Sequence, residues 1–255
     1  ALTLPQRFYQ RALSGDSHEV LVTARAYLKD HSLAAYCDDV VIPALHIGLL
    51  DRQLGAISAD QQMKLRNVMV TVFSTLGGGN PWSSRPRRRS SVLDHAAPGQ
   101  RLREEREQLM GKWQGPVAVP PGSVMLCLGP GSYADDLAAE LLARILREQK
   151  VDARHFSVED TQEGPPPGAT PGGVAIVYLV SAVPGVERQR CGPVAERLRQ
   201  RLPQALFVNV FFPGVTLQLD PVAESGHADL TVTSFTQAVQ ICLERRETRL
   251  ALAAP

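Results

Sequence analysis

The chain has 255 residues, an apolar fraction of 44% and a formal net charge of +1. That length allows one large domain or two ordinary ones, and that apolar share is enough to build a core. The near-zero charge excludes both a global basic field for nucleic acid and an acidic tail, so an electrostatic partner has to be met by a local patch.

Four cysteines, Cys37, Cys127, Cys191 and Cys242, lie far apart and form no C-x-x-C pair. Their spacing argues against a disulfide framework or a thiolate metal site and fits a reducing compartment. Neither a secretory signal nor a membrane span is read from the sequence, in which the longest apolar run is 174–183. The first residue is Ala1 and not Met, which leads us to expect a processed product or a piece cut from a longer protein.

The first third reads as helices. Thr3 and Pro5 open a short helix through Phe8, Tyr9 and Leu13, which Gly15 stops. Asp16 or Ser17 caps the next, whose apolar face is Val20, Leu21, Ala24, Tyr27 and Leu28. Ser32 starts a third helix, in which Pro43 removes the hydrogen bond to the Asp39 carbonyl and predicts a kink. Ser58 caps a fourth, carrying Leu65, Val68, Met69, Val72 and Leu76, which Gly77, Gly78 and Gly79 end. The expected domain is a four-helix bundle cap over 1–79.

Residues 80–121 read as a flexible linker rich in Gly, Pro, Ser and Arg, with a short helix over 102–113 resting on Leu102, Leu109 and Trp113. The Arg85–Arg89 cluster beside Trp82 is expected to be solvated, with contact to an anionic membrane surface as the sharper alternative.

The remaining segment, 122–255, alternates strand and helix. Strands are predicted at 124–128, 153–158, 174–180, 206–212 and 230–233. The third, V-A-I-V-Y-L-V, is almost wholly apolar, as a central parallel strand covered on both faces should be. The fold class is α/β: a helical bundle followed by a flavodoxin-like five-stranded parallel sheet in the order 2-1-3-4-5, with crossover helices.

Ligands of such sheets bind at the carboxyl ends of the strands. The G-P-G-S-Y turn after the first strand lies there and opens a helix, so its backbone amides are a candidate phosphate cradle. It lacks the Gly-Lys-Ser/Thr of a P-loop, and Ala134 stands at the third glycine of G-x-G-x-x-G. The residues singled out for ligand binding are Gly129, Gly131, Ser132 and Tyr133 of this turn, with Ser181 and Gly214 on neighbouring strand ends. Asp135 and Asp136 read as carboxylates favoured by the helix dipole rather than as Mg²⁺ ligands. The six histidines, among them His155, form no close i, i+4 pair and read as surface or core residues. No catalytic or metal-binding residue is assigned, because no nucleophile–base pair and no ligand cluster emerges.

A helical bundle ahead of such a sheet resembles the cobalamin-binding module, whose mark after strand one is G-D-x-H-x-x-G. Gly131 matches it, but Ser132 replaces the Asp, Ala134 the cobalt-ligating His and Leu137 the final Gly. Ser181-Ala182-Val183 echoes the S-x-L after strand three, and Pro213-Gly214 stands where paired glycines follow strand four. On this resemblance no cofactor is expected, unless a cobalamin is held without a protein His ligand. Residues 4–16 (LPQRFYQRALSGD) and 35–45 (AYCDDVVIPAL) also resemble the soluble C-terminal region of autoinducer-2 exporter-like permeases. That resemblance implies a cytoplasmic regulatory appendage tethered to the inner membrane.

The function expected is a non-catalytic sensory or regulatory ligand-binding module. Expected partners are the attached membrane transporter domain, a small-molecule ligand and a second copy of the chain, with no specific nucleic acid. The alternatives are a protein-interaction domain with an empty cleft, and a sensor of base-on cobalamin, phosphate or a nucleotide.

Overall fold

In the computed structural model, which describes residues 1–76, 96–214 and 227–253, the chain divides into two units, Ala1–Gln114 and Gly115–Pro255. The glycine stop at 77–79, Trp82 and the Arg85–Arg89 cluster lie outside the described residues.

Local signals set the helices of the first unit. Helix α1 (Leu4–Ser14) begins in a reciprocal cap between Thr3 and Gln6 and ends at Gly15, whose φ of 82° is left-handed. Asp16 caps α2 (Ser17–Tyr27) by accepting from the Glu19 amide at 3.0 Å. Ser32 caps α3 (Leu33–Tyr36). Ahead of Pro43 the chain passes through a five-residue π-helical turn, Cys37–Val41, into α4 (Ile42–Gln53). The Ile42 amide reaches back to the Cys37 carbonyl, and the wider turn accommodates a proline that has no N–H to give.

The run Leu33–Gln53 is long and apolar enough to cross a membrane, with a mean hydropathy of 1.5, although no span was read from the sequence. Tyr36, Cys37, Val40, Val41 and Ile42 are nonetheless buried in the unit, as in the central helix of a packed core.

Helix α5 (Ala59–Leu76) starts at a Ser58–Gln61 reciprocal cap. Helix α6 (Pro98–Met110) packs on α5, so this part of the expected linker belongs to the helical unit. Ser74 Oγ donates to Glu105 Oε2 at 2.6 Å and Arg101 Nη1 to Asn67 Oδ1 at 2.8 Å. Of its three predicted contacts, Leu102 is fully buried while Leu109 is exposed.

The second unit is an α/β fold. Strands β1 (Val124–Leu128), β2 (Asp152–His155), β3 (Val174–Ser181), β4 (Leu206–Phe211) and β5 (Leu230–Val232) pair in parallel in the order β2-β1-β3-β4-β5. That is the flavodoxin-like order expected. Alternation along β3 serves both faces. Val177 and Leu179 join Val194 and Leu198 of α8 (Cys191–Arg201) in one apolar cluster. Tyr178 faces the other way and donates its hydroxyl to the Ala238 carbonyl of α9 (Phe235–Ala253) at 2.8 Å. Helix α7 (Tyr133–Glu148) shares that second face.

One crossover departs from expectation. Between β2 and β3 the chain forms only a single 3₁₀ turn, Asp160–Gln162, and no α-helix. Prolines and glycines over 164–173 remove amide donors and raise the cost of helix formation. Phe156 and Val158 cover the α8-side cluster instead, and Arg201 Nη1 holds the turn through the Thr161 carbonyl at 2.6 Å. β2 accordingly ends three residues before the predicted 158.

Candidate functional site at the carboxyl ends of the strands

The switch point of this strand order lies between β1 and β3, where a ligand would be received. The glycine turn and the end of β3 do meet there. Ser132 caps α7: its Oγ accepts from the Asp135 amide at 3.3 Å, and its own N–H donates to Asp135 Oδ2 at 2.9 Å. The second oxygen, Asp135 Oδ1, accepts from the Ala182 amide just beyond β3 at 2.6 Å. Asp135 is 1% exposed. One buried carboxylate therefore takes two backbone donors, one at the α7 cap and one just beyond β3.

Gly129 is needed for the same closeness. A Cβ there would lie 2.3 Å from the backbone carbon and oxygen of Asp135, so strand and helix meet backbone to backbone. It is a packing glycine. Gly131 offers its carbonyl to Arg190 Nη1 at 3.0 Å. Tyr133 is 70% exposed at the first position of α7. The Ser181 hydroxyl donates to the Val183 carbonyl at 3.0 Å and accepts from Arg188 Nε at 3.3 Å. Gly214 lies against Pro184, where a Cβ would come within 2.7 Å of the proline ring. All six predicted residues thus lie along one sheet edge or its first helical turn.

Arg188 binds that edge together and was missed in the sequence. Its Nη2 donates to the Phe212 carbonyl at 2.6 Å, and its guanidinium lies 4.6 Å from the centre of the Phe211 ring. One side chain therefore ties the end of β3 to the end of β4. Cys191, nearby, is a free buried thiol whose pKa is pushed up to about 12, by burial first and then by the charge of Asp135. It is not poised as a thiolate nucleophile.

A second cluster surrounds His155 at the end of β2. Its Nδ1 lies 2.8 Å from Glu140 Oε2 and its Nε2 lies 2.9 Å from Asp136 Oδ1. Glu140 Oε1 in turn accepts from Arg144 Nε at 2.9 Å. His155 and Glu140 are both fully buried. Burial alone lowers the pKa of His155, but the bonds to Asp136 and Glu140 and their charges outweigh it, so the net shift is upward. With a carboxylate on each ring nitrogen, the imidazolium is the form that satisfies both. The cluster closes on itself: among the described residues no three His, Cys, Asp or Glu side chains are arranged to hold a metal ion. The detectable signal was Asp136 and Glu140, four apart on α7, ahead of the strand that ends in His155.

Neither a protein family nor a curated protein matches the chain. Among solved structures, a cobalamin-binding protein from Desulfitobacterium hafniense DCB-2 is similar over 96% of this chain and 99% of that one, at 10% identity and a TM-score of 0.34. A likeness of that degree carries no argument, and the fold rests on the strand order itself. The residues at the β1–β3 edge do not fit a cobalamin. Ala134 offers no cobalt ligand, and a group threaded between the strand ends would have to expel the buried Asp135 carboxylate from its two amides.

Proposed function

We propose that the chain is a non-catalytic regulatory module in which the α/β unit acts as a rigid interaction body and carries no exchangeable cofactor. The observation that carries this reading is Asp135, whose one buried carboxylate takes two backbone donors at the switch point. Arg188 supports it by spending its guanidinium on the ends of β3 and β4. Attachment to a membrane transporter, on its cytoplasmic side, belongs to the same proposal and rests on the permease-like segments 4–16 and 35–45.

Thermal unfolding of the 255-residue chain in the presence of ATP, ADP or inorganic phosphate tests the reading. A ligand that binds the folded state at a hundred times its Kd stabilises by about 2.7 kcal/mol, a shift of several degrees. We expect no saturable shift from any of the three. A saturable rise abolished by Ser132→Ala would overturn the reading. Several membrane spans encoded upstream in the same gene are expected from the transporter attachment, and their absence would remove that part alone.

A further inference from the structure

The helical unit contains a cavity of about 420 Å³ that the regulatory reading does not use. Its volume lies within the range of small-molecule sites. Helices α1 and α2 and the α3–π segment supply its walls. Phe8, Val20 and Val40 give it an apolar body.

Its polar groups are unevenly paired. Arg7 and Arg11 line the cavity along with Glu19, so two guanidiniums face one carboxylate and the lining carries net positive charge. Arg7 has no ion pair among the described residues, and Arg11 has only a loose, solvent-exposed one with Asp16 at 3.8 Å. Tyr36 adds an independent observation. It is 1% exposed and lines the cavity, yet its hydroxyl has no hydrogen-bond partner among the described residues. Among the described residues, the buried side-chain atom that is both sealed from solvent and unpaired is Arg197 Nε, on α8 of the α/β unit, and not the Tyr36 hydroxyl. The Tyr36 hydroxyl is therefore not sealed within protein and reaches the cavity space. A buried hydroxyl is normally partnered, and an acceptor atom placed in the cavity would serve this one.

The geometry points to a binding site for a small organic carboxylate with an apolar body and an oxygen acceptor at its inner end. The carboxylate meets Arg7 and Arg11, the body lies against Phe8, Val20 and Val40, and the inner oxygen accepts from Tyr36. This site belongs to the helical unit and stands whether or not the α/β unit is an interaction body.

Ligand-observed NMR titrations of the 255-residue chain test it with three probes: 7-oxooctanoate, octanoate and octylamine. Both carboxylates should saturate below about 10 mM, 7-oxooctanoate the more tightly, while octylamine should not. Arg7→Gln should weaken both carboxylates by about twofold to fivefold. Tyr36→Phe should cost 7-oxooctanoate about fivefold and leave octanoate unchanged. The ratio of the two carboxylates on one variant does not depend on how much of that variant is folded. Saturation by octylamine at equal or lower concentration, an unchanged ratio in Tyr36→Phe, or no saturation by either carboxylate would each overturn the proposal.

Discussion

His155 sits between two carboxylates, and the buried charge shapes its energetics. Removing one partner of a buried ion network leaves an uncompensated charge, at a cost of about 3–5 kcal/mol. Glu140→Gln should lose that much in urea denaturation, because Glu140 bridges His155 and Arg144. The pH dependence has a definite sign. The folded-state pKa of His155 lies above its ordinary value, so its stabilisation is fully present below about pH 6.5. It is lost as pH rises through the folded value. The stability gap between the parent chain and His155→Gln should therefore narrow on the alkaline side, and a gap that widens with pH would show a neutral imidazole instead. None of this was legible residue by residue. Asp136 read correctly as a carboxylate in the first turn of a helix, but its partner is 19 residues away on a different element.

At the scale of elements, caps and breakers were legible because they act within a few residues. Thr3, Ser32 and Ser58 cap the helices they were read to start, and Asp16, one of the two residues read for the second cap, holds that position. Elements set by long-range contact were not. The helix read over 102–113 is present as α6, but its docking on α5 through Glu105 and Arg101 is set by contacts that nothing local announces. The missing helix between β2 and β3 shows the reverse, since the prolines and glycines over 164–173 exclude it locally while topology alone suggested one. The α7 cap provides a test. Ser132→Ala should cost about 1 kcal/mol, the usual price of a lost N-cap. Asp135→Ala should cost more, about 2–5 kcal/mol, because it leaves the Ser132 and Ala182 amides both without an acceptor. Amide hydrogen exchange should show protection falling at Ala182 in the second variant and not in the first. Equal stability losses would mean that Asp135 acts only as part of the cap.

At the scale of the whole molecule, the strand order was readable because each step of it is a sequence pattern: an apolar strand, a turn, then a helix with one apolar face. The state of the strand ends was not readable, since G-P-G-S-Y is compatible with an open anion cradle and with a filled one. What decides between them is the contact from Asp135 to Ala182, 47 residues on. On the proposed reading this contact, with Arg188, closes the switch point to any cofactor. Its most direct test is to incubate the purified chain with hydroxocobalamin and methylcobalamin, desalt it, and record its visible spectrum. The account predicts protein free of corrinoid absorbance. One corrinoid retained per chain would contradict it.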